Sequence, residues 1–90
     1  MSKSVVHIDL HPIAKQGDRI DEALHATFTE AERKRLRTIE IITGKGSGQL
    51  KHRVLKFLDQ KSIKQRYHRV DKDAANHGRL FVHFRWKYES

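Results

Sequence analysis

Residue types able to do chemistry gather in two short stretches of this 90-residue chain, Thr43-Gly44-Lys45-Gly46-Ser47-Gly48 and Asp9-Leu10-His11. In the first, three glycines alternate with Lys45 and Ser47, which leaves backbone N–H groups unshielded and lets φ go positive. The apolar run Ile39-Glu40-Ile41-Ile42 precedes it, and Leu50, Val54, Phe57 and Leu58 follow at helical spacing, so it reads as a turn from strand to helix. Free amides at a helix N-terminus suit an anion such as phosphate. An ordinary glycine-rich connection is the plainer reading of the same residues. The spacing excludes a Walker loop and does not complete the Gly-x-Gly-x-x-Gly dinucleotide pattern.

The second stretch closes a segment of period two. Over 5–11, Val6, Ile8 and Leu10 share one face, while Val5, His7, Asp9 and His11 share the other. This is a half-buried strand whose polar face ends in a carboxylate and an imidazole, and Pro12 limits its continuation.

The remaining elements must position these groups. Residues 13–17 read as a loop closed by Gly17, with Asp18 or Asp21 capping the next helix. Ile20, Leu24, Phe28 and Ala31 then give an amphipathic helix running to about Leu36. Thr38 to Ile42 form a second strand, and a second helix runs from about Gln49 to Gln60. Ile63, Tyr67 and Val70 suggest a third strand over 63–70, and a polar loop follows to Gly78. In the last strand Leu80, Val82, Phe84 and Trp86 face one way, with Phe81, His83 and Arg85 opposite. The expected order is β-α-β-α-β-β, one domain over 1–90 with its core over about 5–87.

Composition narrows the function classes. There is no cysteine, hence no disulfide and no thiolate metal site. No apolar run is long enough to span a bilayer, and the N-terminus lacks a signal-peptide core, so a cytoplasmic protein is expected. The net charge of +8 is unevenly spread. Residues 1–32 carry three Lys/Arg against six acids, whereas 33–72 carry thirteen against Glu40, Asp59 and Asp71. A basic middle around the glycine stretch and the helix after it is the footprint of a polyanion partner, nucleic acid in preference to a membrane surface.

Two strands joined by a helix should be parallel with a right-handed crossover, which puts their C-terminal ends on one sheet edge. Asp9 and His11 then lie beside the glycine stretch. A carboxylate, an imidazole, an anion cradle and nearby lysines suit cleavage of a phosphodiester. Three arrangements are open: Asp9 and His11 in direct acid–base roles, Asp9 orienting His11 as the base, or His7, Asp9 and His11 around a divalent ion. The other histidines default to solvated or satisfied side chains. Tyr67, Phe81 and Tyr88 are candidates for base stacking, with packing in the core as the alternative.

The same residues carry a family resemblance. Ile8-Asp9-Leu10-His11-Pro12 resembles the Leu-Asp-Leu-His-Gly motif of the small MutS-related (Smr) domain. Ile42-Thr43-Gly44-Lys45-Gly46-Ser47-Gly48-Gln49-Leu50-Lys51 resembles its second motif, His-Gly-x-Gly-x-Gly followed by Leu and a basic residue. Asp21-Glu22-Ala23-Leu24 is similar to the start of the family's first helix. The resemblance implies a two-layer α/β fold, a four-stranded mixed sheet with two helices on one face, like the C-terminal domain of translation initiation factor three. It also implies an endonuclease that cleaves or nicks RNA or DNA, in some relatives messenger RNA on stalled ribosomes.

By that resemblance Asp9 and His11 are tied to cleavage. Thr43, Gly44, Lys45, Gly46, Ser47, Gly48 and Lys51 are tied to nucleic acid, and Arg53 and Lys56 extend the basic track. Pro12 replaces the first motif's glycine, and Thr43 stands where the second often has histidine. The resulting expectation is a monomeric, low-specificity nuclease with no tightly held metal and with stimulation by Mg²⁺ left open. A non-catalytic RNA-, DNA- or ribosome-binding module is the alternative.

Overall fold

Alternating and four-residue apolar spacings resolve into one mixed sheet with helices on it, in a computed structural model described over residues 5–44, 48–72 and 78–85. In order the elements are β1 (Val5–Asp9), a 3₁₀ turn (His11–Ile13), α1 (Gly17–Lys34), β2 (Thr38–Ile42), α2 (Gln49–Leu58), α3 (Lys61–Lys64), β3 (Arg69–Lys72) and β4 (Arg79–His83). The sheet order is β1-β2-β4-β3. β1 and β2 are parallel, as the α1 crossover requires, and β4 runs antiparallel to both its neighbours.

Register sorts the two faces of the sheet. Val6, Ile39, Val82 and Val70 form one row, and Ile8, Ile41 and Leu80 the next. These rows meet the helices: Ile39, Ile41, Leu80 and Val82 are fully buried with Ile20, Leu24, Phe28 and Ala31 of α1 and Val54, Phe57 and Leu58 of α2. Phe28 is the hub, in edge contact with Phe57, Tyr67 and Phe84. The opposite face carries His7, Glu40, Phe81 and Asp71 in one row, and Thr38, His83 and Arg69 in the next.

Several local expectations are corrected. The α1 N-cap is Gln16, without a side-chain cap bond; Asp18 lies inside the first turn and Asp21 faces Arg53 instead. α1 stops at Lys34 because Arg35 takes a left-handed conformation, φ 53°, and the Leu36 N–H returns to the Ala31 carbonyl. α2 ends at Leu58, and Gln60 already starts the next turn. Ile63 is not in a strand. It is buried in the one-turn α3, and the strand begins only at Arg69. Between Ile63 and Tyr67 the chain leaves α3 through a turn instead of alternating, and Tyr67 is held by donating its hydroxyl to the Leu58 carbonyl at 2.8 Å. The last strand ends at His83, with Phe84 still buried; Trp86 and Tyr88 lie outside the described residues.

One tertiary clamp makes a pH prediction. Arg66 donates from Nε and Nη2 to the two Glu32 carboxylate oxygens, each at 2.7 Å, and its guanidinium lies 5.3 Å from the centre of the Phe28 ring. The Arg66 hydrogen bonds hold the Glu32 carboxyl below its ordinary 4.5, aided by the guanidinium charge and opposed by burial. A carboxyl with a lowered folded-state pKa stabilises fully above 4.5 and loses that contribution as the pH falls through the lower value. With the two side chains 25% and 35% exposed, the clamp contributes about 1 kcal/mol after solvent screening. Glu32→Gln should therefore lower Tm at neutral pH by that equivalent, and the gap should close in acid. A gap independent of pH would remove the ion pair as its cause.

Candidate nucleic-acid site

The site grows from the C-terminal ends of β1 and β2. Asp9 pairs with Ile42 in register, and the Leu10 N–H extends the pairing to the Ile42 carbonyl at 2.9 Å. There both chains turn. The Asp9 carboxylate accepts the His11 backbone N–H at 3.0 Å, and Pro12 opens the 3₁₀ turn, closed by Ala14 N–H to the His11 carbonyl at 3.2 Å. The turn lifts His11 off the strand face it was expected to share with His7 and Asp9. His7 instead bonds Glu40 through Nδ1 at 2.6 Å. Among the described residues no three His, Asp or Glu side chains could together hold a metal ion.

On the β2 side, the Thr43 and Gly44 N–H groups both donate to the Gly78 carbonyl, at 2.7 and 3.2 Å. Gly44 has φ +79°, and a Cβ there would sit 2.8 Å from Cδ2 of His11, so the imidazole rests directly on the glycine. A Cβ on Gly78 would in turn press on the Gly44 backbone at 3.2 Å. Gly48, φ +91°, caps α2, and its carbonyl accepts the first helical bond, from His52.

The result is a cleft of about 220 Å³ lined by His11, Ala14 and Lys15 on one side, Thr43 and Gly44 at its base, and Gly48, Gln49, Leu50 and Lys51 on the other. The first turn of α2 brings the positive end of the helix dipole to this wall. Of the expected residues, His11, Thr43, Gly44, Gly48 and Lys51 come together in this cleft. Asp9 adjoins it through its bond to the His11 amide. Thr43 is almost fully buried, its hydroxyl at 3.5 Å from the Gly44 carbonyl, so His11 is the imidazole that lines the cleft among the described residues. Lys45, Gly46 and Ser47 lie outside the described residues.

Arg53 is placed elsewhere, against Gly17 and 3.9 Å from the Asp21 carboxylate on the α1 flank; Lys56 sits further along α2. Sequence reasoning missed Lys15, Gln49 and Gly78. Lys15 was marked by its four-residue interval from His11 after a proline, the spacing of a helical turn. Gly78 had only its place before a strand as a signal. Glu40 was also missed: buried on the open face, it pairs with Arg79 at 2.8 Å as well as with His7.

This geometry defines an α/β domain with a cleft and a histidine at the edge of a mixed sheet. The sequence profile of the Smr domain matches residues 8–85, and the chain belongs to that family. Among solved structures, the Smr domain of Thermus thermophilus MutS2 superposes with a TM-score of 0.74 at 21% identity, covering 89% of this chain and 98% of that one. A comparison with curated proteins gives no significant match. Family membership ties the function to nucleic acid. No helix among the described residues is long and apolar enough to cross a membrane.

Proposed function

We propose that this domain is an endonuclease that cuts or nicks the phosphodiester backbone of RNA or DNA with low sequence specificity. The observation that carries the reading is the His11 ring seated on Gly44 at the mouth of a cleft whose far wall is the first turn of α2. In this reading the positive end of α2 and the Lys51 side chain hold a phosphate in the cleft, with Lys15 on the opposite wall; Lys45, outside the described residues, is assigned to the same phosphate by its place in the glycine stretch. His11 moves the proton at the attacking or leaving oxygen. Asp9, bonded to the His11 backbone amide, holds the turn that sets the ring on Gly44 and brings a carboxylate to the edge of the cleft. The domain would work as a cytoplasmic monomer, near ribosomes where the substrate is messenger RNA. It would need no resident metal.

One observation favours a second reading. The Asp9 carboxylate already has a structural task at the His11 amide, as it would in a module that binds RNA, DNA or the ribosome without cutting. The test is cleavage of single-stranded RNA and supercoiled DNA by wild type and His11→Ala, each with excess EDTA or with Mg²⁺. The nuclease reading expects cleavage by wild type and a loss of about a hundredfold or more in the variant, with binding retained. Cleavage that persists in EDTA places the chemistry on the side chains, and cleavage that needs Mg²⁺ places it on a metal. Salt-dependent binding with no cleavage by wild type would establish the binding module.

A further inference from the structure

A second groove lies across α2 from the cleft. Its α2 wall is His52, Leu55, Lys56 and Asp59, which follow the i, i+3, i+4, i+7 rule for one helical face. Its other wall is Val70 and Lys72, two residues apart on β3 and so on the same side of the sheet, with Leu58 and Tyr67 beneath. β3 is an edge strand, so the groove opens at the side of the domain. It encloses about 360 Å³.

We propose that this groove holds unpaired nucleotides of the substrate strand, next to the phosphate bound in the cleft, and that the domain therefore selects single-stranded nucleic acid. The inference rests on the nucleic-acid reading above and adds the form of the substrate. Three observations carry it. First, the charge is complementary and available: Lys56 and Lys72 have no ion-pair partner among the described residues. The one acid, Asp59, is paired with Lys64 at 3.3 Å. Arg66, close by in sequence, is already neutralised by Glu32.

Second, the surface between the lysines is apolar and firm. Leu55, Tyr67 and Val70 are half-buried against the core, and the Tyr67 ring is fixed by its bond to the Leu58 carbonyl. An apolar floor between cations suits a base with its flanking phosphates, and only an unpaired base has a face free to lie on it. Third, the groove and the cleft flank the same end of α2. Lys51 lines the cleft and His52 the groove, so a strand crossing the first turn of α2 meets both. The open sheet face is the weaker alternative, because its Arg79, Arg69, His7 and His83 are each bonded to Glu40 or Asp71.

The test compares wild type with the double variant Lys56→Ala/Lys72→Ala, two exposed positions whose loss leaves the core untouched. Binding is read by fluorescence anisotropy of a labelled single strand of about twelve nucleotides and of a hairpin duplex with the same number of phosphates. Wild type should prefer the single strand. The variant should lose about tenfold on it, with a salt slope smaller by about 0.7 per lysine, and lose little on the duplex. Equal losses on both probes, or no loss on the single strand, would overturn the proposal. Cleavage by wild type and His11→Ala is assayed beside it: a wild type that prefers the single strand but never cuts retains this inference and overturns only the nuclease reading.

Discussion

Asp9→Asn should reduce cleavage by about a thousandfold while leaving the melting temperature unchanged. The asparagine Oδ1 can still accept the His11 N–H that the carboxylate accepts at 3.0 Å, so the turn that lifts His11 from the strand is preserved. What disappears is the carboxylate charge at the edge of the cleft, which the nuclease reading assigns to the chemistry. Asp9→Ala removes both. It should lose the same activity and, in addition, about 1 kcal/mol of stability from the unmade turn bond. Single-turnover cleavage and thermal melts of the two variants therefore separate the two uses of one carboxylate. Full activity in Asp9→Asn would assign Asp9 to the turn alone and leave His11 without an acidic partner in the chemistry.

The second large effect is expected at Gly44. An alanine there meets two penalties: a positive φ, which costs an L-residue about 1–2 kcal/mol, and a Cβ 2.8 Å from Cδ2 of His11. The backbone cannot yield, because the Thr43 and Gly44 amides are tied to the Gly78 carbonyl and Gly78 abuts Gly44 from behind. The imidazole must move instead. Displacement of a reacting group by about an ångström costs about a hundredfold in rate. Gly48→Ala supplies the control. It shares the positive φ, +91°, but its Cβ would meet nothing within 4 Å. Both variants should lose several degrees of Tm, and only Gly44→Ala should lose cleavage in proportion to a misplaced His11. Equal activity losses would mean that loop strain, not the position of the ring, controls the reaction.

Much of this molecule is written in intervals between neighbours along the chain. Val6, Ile8 and Leu10 alternate, and Ile20, Leu24, Phe28 and Ala31 recur every three or four residues, because strand and helix periods are local backbone properties. The parallel pairing of β1 with β2 follows from the helix between them, so the meeting of His11 with the glycine stretch was legible before any coordinates. Gly44 and Gly48 take the positive φ that their residue type allows.

Other features depend on partners far along the chain. Ile63 became helical because a buried position lay under α2's exit, and a single turn leaves too little periodicity to outweigh a strand-like setting. Glu40 is a carboxylate inside an apolar run, tolerated there because the antiparallel register brings Arg79 to one oxygen while His7 reaches the other. The Asp9 carboxylate points to an amide rather than an imidazole because the turn at Leu10 rotates His11 off the strand face. Gly78 matters because its backbone packs on Gly44, a contact set by strand register and by no motif. Sequence alone determined the four strands, the two long helices and the sheet edge at which His11 meets Gly44. The tertiary structure decided which side chains meet there, since burial and register act between residues whose separation along the chain says nothing of their distance in space.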